Sequence, residues 1–127
     1  MLYVVTSDKS LDQVCSDLEE AVVAHKFGLM ATHNLRETMA KKGVSFDREC
    51  RVFEVCNPHQ AKKVLESRIE VSTALPCRIS IFEEEGKVKL ATMKPSMMLG
   101  IFEAPDLDSV AAEVETSIMA IMQDAAG

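Results

Sequence analysis

Four residues that can do chemistry stand at the ends of two apolar runs. Glu54 and Cys56 close Cys50–Cys56, and Cys77 and Arg78 open Cys77–Phe82. A glutamate beside an arginine can form a charge-assisted pair. The planar guanidinium can equally take a carboxylate or phosphate ligand. Cys56 directly precedes Asn57-Pro58, which reads as a helix start. A helix dipole lowers the pKa of a thiol at its N-terminus and favours the thiolate. Such a thiolate would suit redox chemistry, sulfur handling or metal ligation. Cys56, Cys77 and His59 together would make a soft site able to carry a metal or haem. No fourth ligand stands at zinc-finger spacing, so no metal ligand is assigned. Each of these readings has a plainer alternative: a packed, unreactive Cys56 and a structural Glu54–Arg78 ion pair.

No catalytic residue is assigned, and whether the chain is an enzyme stays open. There is no P-loop, G-x-G-x-x-G run or nucleophile elbow, and three histidines without a supporting motif define no Ser-His-Asp triad. His25, near a helix end, reads as a partner of the helix dipole. His33 shares the alternation of Leu29, Ala31 and Leu35 and reads as a hydrogen-bonded core residue.

The elements that position these residues follow from periodicity. Leu2 to Thr6 is a first strand. Ser10 with Gln13 forms a capping box, and Leu11, Val14, Cys15, Leu18, Ala21, Val22 and His25 recur at helical spacing. Gly28 is expected to cap that helix. Leu29 to Leu35 is a second strand and Arg36 to Gly43 a short helix, with Glu37 placed to pair with Lys41. Val44 to Glu49 is a connection, the most mobile segment expected. Cys50 to Cys56 is the third strand, and its alternation sets Phe53 and Val55 against Cys50, Val52, Glu54 and Cys56. Asn57 caps the next helix and Pro58 opens it, burying Ala61, Val64 and Leu65. Ile69 to Leu75 is a turn region. Cys77 to Phe82 and Lys87 to Met93 form a hairpin around an acidic turn. Ser96 to Ala104, with Met97, Met98, Leu99, Ile101 and Phe102, is too apolar for a free connection and must pack down or meet another chain. The last helix carries Val110, Val114, Ile118, Ile121 and Met122, and Gln123 to Gly127 is expected to fray.

This order predicts a single α+β domain over 1–127: one antiparallel sheet of about five strands with helices on one face. The other face would be solvated, paired in a homodimer or wrapped around a ligand. If Phe53, Val55, Ile79 and Ile81 share the core, then Glu54, Cys56 and Arg78 lie together on the opposite face. Cys56 and Cys77 fall on opposite faces unless a bulge intervenes.

Composition narrows the partners. The net charge of −6 argues against nucleic acid and against an anionic membrane surface. No apolar run approaches the ~18 residues of a membrane span, and no secretory n-region precedes one. A cytoplasmic protein with reduced thiols is the expectation. Only 5% of residues are aromatic and eight are Met, so the core must be aliphatic with Met filling gaps.

Val52-Phe53-Glu54-Val55-Cys56-Asn57-Pro58, then Ala61 and Val64-Leu65, then Leu75-Pro76-Cys77-Arg78-Ile79 before a Glu-rich hairpin resemble the family called domain of unknown function 302. The resemblance covers nearly the whole chain. It implies a small bacterial or archaeal α+β domain with a curved antiparallel sheet of TATA-binding-protein-like architecture, often dimeric, and no established activity. The motif positions are Glu54, Cys56, Asn57, Pro58, Pro76, Cys77 and Arg78, with no settled role for any. The functional expectation is a homodimeric module that binds a small ligand, anionic or apolar, near Glu54, Cys56, Asn57, Cys77 and Arg78. The alternatives are thiol redox or sulfur handling at Cys56, a metal or haem carrier at Cys56, Cys77 and His59, and a subunit that docks through Met97–Phe102.

Overall fold

The computed structural model describes residues 1–127. Five strands form one sheet in the order β1-β5-β4-β3-β2, and every neighbouring pair is antiparallel. The strands are β1 (Leu2–Ser7), β2 (Gly28–Asn34), β3 (Cys50–Cys56), β4 (Cys77–Glu84) and β5 (Lys87–Met93). The helices are α1 (Leu11–Ala24), α2 (Leu35–Lys41), α3 (Pro58–Ser67), α4 (Pro95–Gly100) and α5 (Asp108–Ala126). The architecture is α+β, as the element order predicts.

Alternation decides which face is buried. Phe53 and Val55 of β3, Ile79 and Ile81 of β4 and Leu90 of β5 pack beneath α1 and α5 in the main core. Each such fully buried side chain contributes about 1.5–3 kcal/mol of transfer free energy. Cys15 lies in this core as a small hydrophobe, as its helical position implies. A second cluster of Val64, Val71, Leu99, Ala104, Leu107 and Ala111 joins α3, α4 and α5 beyond the sheet's end. The opposite face of the sheet is open: Leu2, Val4 and Met93 are 60%, 48% and 44% exposed there.

Local grammar differs from expectation at several points. Ser10 caps α1 by accepting from the Gln13 amide, but the Gln13 side chain turns to Asp17, so only half of the capping box forms. Gly28 does not cap α1. The chain leaves the helix through His25 and Lys26, with Lys26 at φ 64°, and Gly28 opens β2. A slip in register between Leu29 and Ala31 marks a bulge on this edge strand. His33 is exposed, not core, although it is hydrogen-bonded. Ile69–Ala74 is a 3-10 helix, and it buries Val71. Glu85 and Gly86 both have positive φ, the geometry of a type I′ hairpin turn. Gln123 to Ala126 do not fray: α5 runs to Ala126, and Ala125 is fully buried against the main core. The Val44–Glu49 connection is irregular but tied down, Arg36 holding Glu49 at 2.8 Å and Arg48 donating to the Glu83 carbonyl. The apolar Met97–Phe102 stretch is α4 and its exit. Leu99 packs in, while Met97 and Ile101 stay 47% and 70% exposed.

Candidate functional site

The sheet ends against α3, the 3-10 helix and α4, and two adjoining clefts open at this end. The motif residues divide between them. β3 delivers Cys56 and Asn57 to the end, and β4 returns from it with Cys77 and Arg78, in a register that sets Glu54 opposite Arg78 and Val55 opposite Cys77.

Asn57 is committed to structure. Its Oδ1 accepts from the His59 and Gln60 amides at 3.1 and 3.2 Å, which starts α3, and Pro58 takes the first helical position where an N–H is not needed.

The narrow cleft, about 40 Å³, lies under α3 on the helix side of the sheet. Cys56 and Cys77 both line it, with Phe27, Val64 and Met98 among its apolar walls. The parity expectation is therefore corrected. Both cysteines border this one cleft, although each is a paired ladder residue, Cys56 opposite Gly28 and Cys77 opposite Val55. Cys56 accordingly borders a cleft that neither Glu54 nor Arg78 lines. Burial pushes both thiols up, Cys56 above its ordinary value and Cys77 to about 11, where the nearby Cys56 adds to the rise and Arg78 opposes it. The thiol lowered by a helix dipole is thus not found at Cys56. Burial is what moves the Cys56 thiol, and it moves it up.

The wider cleft, about 290 Å³, wraps the sheet end towards the open face. Pro76, Met93, Met98, Ile101 and Phe102 supply apolar walls, and Arg78 stands at its side. The two clefts share Ala74, Cys77 and Met98. Met98, Ile101 and Phe102 are the lining residues that the strand motifs miss. Their concentration in one short apolar stretch was the available signal.

Arg78 and Glu54 pair on the open face, but loosely. Arg78 Nε lies 3.5 Å from Glu54 Oε1, too long for a good hydrogen bond, and the Arg78 side chain is 55% exposed. The same Glu54 oxygen meets His33 Nε2 at 3.1 Å. The terminal nitrogens of Arg78 have no protein partner, and its carbonyl is held by the Thr92 hydroxyl at 2.7 Å. Glu54 lines neither cleft.

His59, on the first turn of α3, is exposed and lines neither cleft. No group of three or more His, Cys, Asp or Glu side chains is arranged to hold a metal. No helix is long and apolar enough to cross a membrane.

Three comparisons with known proteins bear on this geometry. A family model described as domain of unknown function DUF302 matches residues 3–125. No curated protein matches the chain. Among solved structures, an uncharacterized conserved DUF302 protein from Bacillus stearothermophilus is 29% identical and superposes with a TM-score of 0.93, over 98% of this chain and 97% of that one.

Proposed function

The chain belongs to the DUF302 family, and from the geometry at the end of its sheet we propose that it binds a small apolar carboxylic acid. One observation carries the reading: an arginine with uncommitted terminal nitrogens stands beside an apolar cleft of about 290 Å³. That volume is at the small end of ligand-binding cavities. The hydrocarbon body would lie against Met93, Met98, Ile101 and Phe102. The head group would take the Arg78 fork, which matches a carboxylate bidentately.

Magnitudes assign the roles. Each buried CH₂ contributes about 0.8 kcal/mol. An ion pair to a half-exposed arginine contributes about 0.2–1 kcal/mol. The cleft therefore supplies most of the affinity, and Arg78 supplies orientation and the preference for an anion. Glu54 holds the guanidinium in place when the site is empty and competes with the incoming carboxylate.

Thermal unfolding with octanoate, octanol and octylammonium tests this. Ligands that bind only the folded state raise the melting temperature. Octanoate is expected to raise it most and octylammonium least, and Arg78→Ala to erase the difference between octanoate and octanol. Equal shifts from all three, or none from any, would refute the reading.

A further inference from the structure

We propose that Cys56, Cys77 and Met98 form a site for a soft monovalent metal ion, copper(I), in the narrow cleft under α3. Three sulfur-bearing residues from three elements, the end of β3, the start of β4 and the middle of α4, line one cleft. Its volume of about 40 Å³ admits a few water-sized bodies and no organic molecule of useful size. The lining is otherwise apolar except for the amides of Asn57 and Gln60, and it contains no carboxylate and no imidazole. Thiolate and thioether donors with no carboxylate or imidazole beside them select copper(I). Zinc takes four ligands in structural sites, and the residues for that are not gathered here.

Gln60 adds an independent observation. Its Nε2 donates to Glu113 at 2.8 Å, which fixes the amide, and its Oε1 is buried with no partner. A buried acceptor left unpaired costs about 1–3 kcal/mol, so such atoms generally meet a ligand or water. Gln60 borders both this cleft and the outer groove that holds Glu113, and an amide oxygen is a known weak axial donor to copper, so this Oε1 is the candidate fourth contact.

Binding balances without an oxidant. Copper(I) displaces the protons of the Cys56 and Cys77 thiols, two copper–sulfur bonds form, two protons leave to solvent, and no electron moves. Met98 adds a neutral third sulfur.

The test is anaerobic titration of the reduced protein with copper(I) buffered by bicinchoninate, read as loss of chelator colour and as native mass. The wild type is expected to withdraw one copper per chain, and Cys50→Ser to behave identically. Cys56→Ser, at a half-buried strand end, is expected to lose this copper while keeping its circular dichroism. Cys77→Ser should do the same. Met98→Leu is expected to retain copper, with the sulfur count from X-ray absorption falling from three to two. Arg78→Ala, which disables the proposed acid site, should leave copper binding unchanged. A wild type that leaves the chelator saturated, copper retained by Cys56→Ser, or copper lost only with Cys50→Ser would overturn the assignment.

Discussion

Arg78 and Glu54 are register partners across β4 and β3, yet the guanidinium meets the carboxylate only through Nε, 3.5 Å from Oε1. A bidentate pair would have spent two guanidinium nitrogens, at least one of them terminal, on Glu54. The offset leaves the terminal nitrogens free beside the wider cleft, while His33 takes part of the demand of Glu54 at 3.1 Å. The pairing therefore positions an arginine without satisfying it, and a ligand carboxylate can do what Glu54 does not.

Glu54→Gln is accordingly expected to strengthen octanoate binding. Removing a competing ion pair worth about 0.2–1 kcal/mol corresponds to as much as about fivefold in affinity. Isothermal titration of both proteins measures it. Weaker binding in the variant would show that Glu54 helps the ligand and does not compete with it.

The Cys77 thiol gives a stability signature at alkaline pH. Its pKa is raised by burial from an ordinary 9.0 to about 11 in the folded protein. Between those values the unfolded chain gives up the proton and the folded chain keeps it, so the unfolded state binds fewer protons and stability falls as pH rises. Two pKa units correspond to about 3 kcal/mol, fully present below pH 9 and gone above pH 11. Urea midpoints of metal-free protein across this window should fall more steeply in wild type than in Cys77→Val. Parallel pH profiles would rule out a buried neutral thiol.

Core and cleft should separate by substitution. Phe53 is 1% exposed in the main core, and Phe53→Ala is expected to cost about 3–5 kcal/mol, because the cavity adds to the lost transfer energy. Ile101 is 70% exposed on the cleft wall, and Ile101→Ala should stay within about 0.5 kcal/mol of wild type while weakening octanoate binding. Urea unfolding reads the first effect and titration the second. A large stability loss at Ile101 would place it in the core instead.

Much of this was readable from residue order alone. The alternation of Cys50–Cys56 sorted Phe53 and Val55 inward, and Asn57-Pro58 marked the start of α3, because period and capping are local properties. That Glu54 and Arg78 share a face also followed by parity, whereas their direct pairing is a register that alternation alone leaves open. What failed was non-local. Parity could not bring Cys56 and Cys77 to one cleft, because that cleft is closed by α3 and α4, which strand alternation does not place. Nor could it show that Glu54 lines neither cleft. His33 alternates with apolar residues, but β2 is an edge strand and leaves it in solvent. Ala125 stays in the helix because it packs on the core, a contact that terminal composition does not encode.

Carboxylate binding at Arg78 is read most directly by titrating isotope-labelled protein with octanoate and following it by NMR. Saturable shifts confined to Arg78, Met93, Met98, Ile101 and Phe102 are expected, with the Arg78 side-chain Nε–H resonance moving as its partner changes. Shifts spread over the open sheet face, or no saturation while Arg78 stays still, would contradict it.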